Sequence, residues 1–155
     1  MKRILFKNKG FTLVELLIVV GIIGILATLL MVNFVGVRQR ARDAQRKSDI
    51  RQIQSALELY RSDNGSYPAA VGTSIGTCGG SLTGASNTYM QKIPCDPSGT
   101  SGYNSGNYYY VSSGGTTYTL GACLENTADS QGTTTSPGGS GCTSNPATYY
   151  VVTNP

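Results

Sequence analysis

The sequence predicts an α+β protein: a long N-terminal α-helix, apolar in its first half and amphipathic in its second, packed on a small antiparallel β-sheet domain. Three observations predict it. An apolar run, FTLVELLIVVGIIGILATLLMV, passes without turn chemistry into a charged, helix-forming stretch. Beyond Pro68 the composition changes to Gly, Ser, Thr and Tyr, and all four cysteines lie there. Within that part, two alternating runs flank Gly114-Gly115, the pattern of a β-hairpin.

Four regions follow in order: a basic leader over 1–10, an apolar helix over 11–32, an amphipathic continuation over 33–64, and a β-rich head over 65–155. At 1.5 Å per residue the apolar segment is about 33 Å long, enough to cross a hydrocarbon core of about 30 Å. A cleaved secretory signal peptide would need a small-residue site after the apolar part. The chain continues instead as LLMVNFVGVRQ, so a retained membrane anchor is expected.

Residues 33–64, NFVGVRQRARDAQRKSDIRQIQSALELYRSDN, contain no proline. Ile50, Ile53, Leu57 and Tyr60 fall at i, i+3, i+7 and i+10, one apolar stripe on a helix. Asp43–Lys47 and Glu58–Arg61 have the spacing of helical ion pairs. Asp63-Asn64-Gly65 followed by Tyr67-Pro68 ends the helix, with Gly65 in the left-handed cap; the spacing of a calcium-binding loop is absent. Gly36 alone does not break a helix, so one helix is expected from 11 to 64, on the order of 80 Å long.

In the head, NYYYVSSGGTTYTLGA predicts a hairpin closed by a two-residue turn at Gly114-Gly115. That register pairs Val111 with Tyr118, Tyr109 with Leu120 and Tyr110 with Thr119. The face carrying Tyr109, Val111, Tyr118 and Leu120 would then cover the helix stripe. TYYVVT at 148–153 is a further strand, and 126–147 reads as a loop.

Composition narrows the function. Charged residues are only 13% of the chain, and there is no His, the commonest general base and metal ligand. With no nucleophile–base pair, carboxylate dyad or metal-ligand set visible, an enzyme is not expected, nor a cofactor. Lys2, Arg3, Lys7 and Lys9 account for the whole formal net charge of +4, so the basic balance belongs to the leader. The stretch VRQRARDAQRKSDIR is basic, and Tyr-rich strands can stack bases. It reads better as a charged helix face balanced by Asp43, Asp49 and Glu58, which leaves a nucleic-acid partner open.

Cys78, Cys95, Cys123 and Cys142 contain no C-x-x-C pair, which argues against zinc. An even count beyond an export or anchor segment points to disulfides in an oxidising compartment. Four cysteines allow three pairings; closure between nearest neighbours favours Cys78–Cys95 and Cys123–Cys142. Basic residues flank the apolar run on both sides, so the positive-inside rule does not orient it. The cysteines and the Ser/Thr-rich head decide for an extracytoplasmic C-terminal domain.

The segment KGFTLVELLIVVGIIGILA resembles the N-terminus of type IV pilins and of their relatives, the pseudopilins of type II secretion. The resemblance covers residues 1–68, including YRSDNGSYP, and extends to the remainder in architecture. It implies that prepilin peptidase cuts after Gly10 and that Phe11 becomes the N-methylated first residue. Many members carry a proline near the end of the apolar half, where this chain has LLMVNF; Gly21, Gly24 and Gly36 are its weaker points of give.

The resemblance also gives Glu15 a role. An ionised carboxylate costs roughly 2.5–3.5 kcal/mol at the centre of a membrane helix and less near its end. Cleavage would create an α-amino group on Phe11, able to meet Glu15 of a neighbouring helix in an apolar bundle. The plainer alternative is that Glu15 reaches the lipid headgroups.

The expected function is a structural filament subunit, a type IV pilin polymerised through its N-terminal helix. Alternatives are a type II secretion pseudopilin or minor pilin, and a DNA-binding pilin of an uptake system. Implied partners are copies of itself and related pilins in a helical homopolymer, prepilin peptidase, inner-membrane assembly machinery, and membrane lipid before assembly. The implied location is a single-pass inner membrane, then an extracellular filament.

Overall fold

The computed structural model describes residues 10–70, 75–99, 106–138, 142 and 147–154. The basic leader before Gly10 lies outside the described residues. The chain divides into two compact units, Met1–Val37 and Arg38–Pro155. Helix α1 runs unbroken over Leu13–Asn64, close to the expected bounds.

In the first unit every described side chain from Gly10 to Val37 is exposed. Gly21, Gly24 and Gly36 sit within regular helix. A Cβ added at any of them would meet nothing within 4 Å.

In the second unit, Ile50, Ile53 and Leu57 are wholly buried and Tyr60 packs against the same core. Burying each such aliphatic side chain is worth about 1.5–3 kcal/mol, so this stripe holds the helix to the head. The helix stops where expected. Gly65 takes φ 76° and its N–H donates to the Arg61 carbonyl at 2.8 Å.

Among the described residues the strands are β1 (Leu82–Thr83), β2 (Thr88–Met90), β3 (Tyr109–Ser113), β4 (Thr117–Leu124) and β5 (Thr148–Thr153). β1 and β2 form a small antiparallel pair that no alternating run in the sequence had marked. β3, β4 and β5 form an antiparallel sheet in that order.

The hairpin corrects the expected register by one residue. Tyr110 pairs with Leu120, Val111 with Thr119 and Ser112 with Tyr118. The turn holds three residues rather than two. Gly114 and Gly115 are both at positive φ, and the Thr116 N–H closes on the Ser113 carbonyl at 3.2 Å. Thr116 is therefore left outside the ladder, and Ser113 pairs with Thr117. The Gly115 carbonyl also accepts the Tyr67 N–H at 2.8 Å, fixing the turn against the chain leaving α1.

Because side chains alternate across a strand, this slip decides what meets the helix. Tyr108, Tyr110, Tyr118, Leu120 and Ala122 join the core with Ile50, Ile53 and Leu57. Tyr109 and Val111 lie on the opposite face, with Cys123 and Cys142. Tyr110 is wholly buried, and its hydroxyl donates to the Pro68 carbonyl at 2.7 Å.

The segment read as loop is a covering layer where it is described. Thr133 bridges Tyr149 with two backbone hydrogen bonds of 2.8 Å. The Tyr109 hydroxyl donates to the Pro137 carbonyl at 3.0 Å. Gly138 has φ 146° and a Cβ there would lie 2.2 Å from the Tyr109 hydroxyl, so only glycine fits.

Candidate assembly site and the polar hub of the head

Gly10 and Phe11 precede the helix and are exposed, Phe11 at 87%. Thr12 and Glu15 form a capping box. The Glu15 carboxylate accepts from the Thr12 N–H and hydroxyl, each at 2.8 Å, and the Glu15 N–H donates to the Thr12 hydroxyl at 3.2 Å. This satisfies two helix-terminal donors reciprocally. Sequence reasoning assigned Glu15 a charge partner and missed this local duty, although T-x-x-E before an apolar run is its signature.

Beyond the cap, Leu13–Met31 is long and apolar enough to span a membrane, and none of its large side chains is buried. Glu15 is the one ionisable residue between Phe11 and Val37. The motif thus places Gly10, Phe11 and Glu15 at one end of an uncovered apolar helix.

In the head, part of the charged stretch of α1 is buried rather than solvated: Asp43, Arg46 and Asp49 are buried, while Arg40 and Arg51 are exposed. Arg46 and Asp43 are each 2% exposed. Arg46 donates Nε to Asp96 Oδ2 at 2.8 Å and Nη2 to Asp96 Oδ1 at 2.9 Å, a bidentate pair. Its Nη1 reaches Asp43 Oδ1 at 2.6 Å and its Nη2 also reaches Glu125 Oε1 at 2.8 Å and the Ser98 hydroxyl. Asp43 in turn accepts backbone N–H groups of Glu125 and Asn126. Asp96 adjoins Cys95 and Glu125 lies two residues beyond Cys123, so one guanidinium ties both cysteine-bearing segments to the helix.

The expected Asp43–Lys47 and Glu58–Arg61 pairs give way to other partners. Asp43 takes Arg46, and Lys47 takes Asp129 at 2.6 Å. Glu58 and Arg61 meet instead at the Tyr67 hydroxyl, each at 3.0 Å. For Lys47 a carboxylate of the loop beyond β4 replaces the helical neighbour, whereas Asp43 keeps a partner on its own helix.

The electrostatics follow. Burial works to lower the Arg46 guanidinium, but its bonds to Asp96, Glu125 and Asp43 outweigh this and raise it. Arg42, resisted by desolvation and helped by Arg46 and Ser98, holds Glu125 down at about 2. Asp49 is pushed up by burial, against a hydrogen bond from the Tyr108 hydroxyl at 2.7 Å. Arg46 donates from all three of its guanidinium nitrogens to acceptors of the chain itself, the arrangement of a structural tie.

Cys78 is joined to Cys95 and Cys123 to Cys142, with Cα separations of 4.9 and 5.6 Å. The first bridge closes the loop leading into Asp96. The second ties the covering layer to β4.

The chain matches the family model for the prokaryotic N-terminal methylation motif over residues 5–31. It matches that for type II secretion system (T2SS), protein G over residues 33–143. It is 33% identical over 129 residues to the type II secretion system core protein G of Vibrio cholerae serotype O1, covering 75% of this chain and 82% of that one. With the core protein G of Pectobacterium carotovorum it shares 33% identity over 101 residues, 61% of this chain and 65% of the relative. With that of Escherichia coli (strain K12) it shares 42% over 62 residues, 40% and 43%. The match thus spans less than two thirds of the length of these last two relatives. No solved structure matches the chain. Two thirds of the chain, from the middle of the helix to the second disulfide, carry the protein G pattern behind a methylation motif, and the chain belongs to the type II secretion system protein G family.

Proposed function

We propose that the chain is a pseudopilin of a type II secretion system: a leader-processed subunit held in the inner membrane and polymerised through α1 into a periplasmic filament. It is a structural, non-enzymatic protein of its family. The observation that carries the reading is the uncovered apolar helix from Leu13 to Val37, with a single carboxylate in its first turn. Lipid covers that surface before assembly and neighbouring copies cover it afterwards, so burial favours both states.

The methylation motif supports cleavage by prepilin peptidase after Gly10 and methylation of Phe11. The freed Phe11 amine of one subunit then neutralises Glu15 of its neighbour. The inner-membrane assembly machinery of the secretion system is the remaining partner.

Between the two filament readings, the protein G match favours the secretion pseudopilin over the long type IV pilus, and with it a periplasmic rather than an extracellular filament. The DNA-uptake reading loses part of its basic patch, because Arg42, Arg46 and Lys47 are engaged by Glu125, Asp43, Asp96 and Asp129. Deleting the subunit tests the choice. Export of the secreted proteins to the medium should stop while surface pili persist; loss of surface pili with normal export would return the chain to the pilus. Gly10→Val should leave the uncut precursor in the membrane, and the mass of assembled wild-type subunits should begin at Phe11.

A further inference from the structure

Both cysteines of the Cys78–Cys95 bridge are held by contacts that do not pass through sulfur. The Cys78 N–H donates to the Asn107 side-chain oxygen at 2.6 Å. The Gly79 N–H donates to the Ile93 carbonyl at 2.8 Å, and the Ile93 N–H donates back to the Gly80 carbonyl at 2.6 Å. Ile75 and Ile93 are themselves buried in the main core. Beyond Cys95, the Asp96 N–H donates to the Gly106 carbonyl at 2.9 Å, and the Asp96 carboxylate is gripped by Arg46. None of these bonds needs the sulfurs to be joined.

This frame decides what an opened bridge does. A free, flexible chain spanning 17 positions has an r.m.s. end-to-end distance of about 20–25 Å. Its two thiols then meet at an effective concentration in the millimolar range. In the folded head the two Cα atoms sit 4.9 Å apart, within bridging distance. The bridge is also open to reagents, because Cys78 and Cys95 are both partly exposed. Cys123 is buried, and with Cys142 it packs against Tyr109 and Val111.

We infer that Cys78–Cys95 is a thiol–disulfide exchange site, opened and closed by small thiols and disulfides of the glutathione class while the rest of the head stays folded. In opening, a reagent thiolate attacks one bridge sulfur. The S–S bond breaks, and the other cysteine leaves as a thiolate that takes up a proton. A second reagent thiolate displaces the protein sulfur from the mixed disulfide, so the protein gains two thiols and the reagent becomes its own disulfide. Closing reverses these steps, with the reagent disulfide as oxidant. Because Asp96 follows Cys95, its pairing with Arg46 keeps the released thiol beside Cys78. The Cys123–Cys142 bridge stays shut in the same exchange. The site needs only the folded head and is independent of how α1 assembles.

The test is graded exchange on the detergent-solubilised full chain, with reduced glutathione and glutathione disulfide as the reagents. Free thiols are trapped by alkylation and mapped by mass spectrometry, while near-UV circular dichroism follows the packing of the tyrosines. Cys78 and Cys95 should be alkylated first, with the near-UV signal retained. Added glutathione disulfide should restore the same pair. The effective concentration of these two thiols should exceed its value in concentrated guanidinium chloride by at least about 100-fold. Cys78→Ser/Cys95→Ser should keep the near-UV signal of the wild type, since the frame remains. Loss of that signal in the variant or on opening the first bridge overturns the site. Opening of Cys123–Cys142 first or at the same time, or an effective concentration equal to the denatured value, overturns it as well.

Discussion

Arg46 Nε lies 2.8 Å from Asp96 Oδ2, with the two side chains 2% and 1% exposed. A buried ion pair adds little net stability over an apolar replacement of the whole set, but removing one partner strands the other charge. Arg46→Met should therefore destabilise the head by about 3–5 kcal/mol. Arg46→Lys should rescue it only in part, since an ammonium cannot reproduce the bidentate fork to Asp96 while reaching Asp43 and Glu125. Denaturant unfolding of the purified chain, followed by near-UV circular dichroism, measures both. A stable, well-packed Arg46→Lys head would show that charge alone suffices.

The same hub predicts an acid limb. Glu125 is held at about 2 against an ordinary value of 4.5. A depressed carboxylate contributes stability that is full above its unfolded value and lost as pH falls through the folded one. Its contribution should thus fade between about pH 4.5 and about pH 2, and Glu125→Gln should flatten stability across that window. Asp49 has the opposite sign. Burial raises it above 3.8, so its ionisation weakens the head as pH rises through the raised value. Asp49→Asn should stabilise the protein at pH 7 and change little below pH 3.8. Stability against pH for the two variants separates these effects, and parallel curves would contradict the assignment.

The Cys123–Cys142 bridge spans 19 positions. A closed loop of about this size gains roughly 3 kcal/mol in the chain-entropy description. Cys123→Ser/Cys142→Ser should cost that order of stability and expose the covering layer around Gly132 and Pro137 to protease first. Limited proteolysis with mass mapping reads the order of cuts. Cleavage starting between β1 and β2 instead would show that the bridge does not hold that layer.

Much of this architecture was legible in the sequence. The helix was visible because apolar content changed to an i, i+3, i+7 stripe with no proline or turn between, and Gly65 marked its end. β5 was visible as the run TYYVVT, rich in the β-branched and aromatic residues that favour strands. The hairpin was visible but its register was not: Gly114-Gly115 fits a two-residue turn, and only the Tyr67 contact to Gly115 and the unpaired Thr116 reveal the third residue. The hub was missed because Asp96 and Glu125 lie far along the chain. A signal was nonetheless present. Asp43 and Arg46 continue the spacing of Ile50, Ile53 and Leu57, so they point at the core and require buried partners. Charge-run reasoning treated them as solvated.

The central claim is that copies of the processed helix assemble through the charge of Glu15, and the capping box supplies a clean discriminator. Glutamine at the third helical position still serves a capping box, so Glu15→Gln keeps the local duty and removes only the charge. The decisive measurement is the ratio of cleaved subunit in membranes to subunit in isolated filaments, for wild type, Glu15→Gln and Glu15→Val. The account predicts that all three are inserted and cut after Gly10, while both variants accumulate in the membrane and yield few filaments. Wild-type filament yield from Glu15→Gln would contradict it, and would reduce Glu15 to a helix cap.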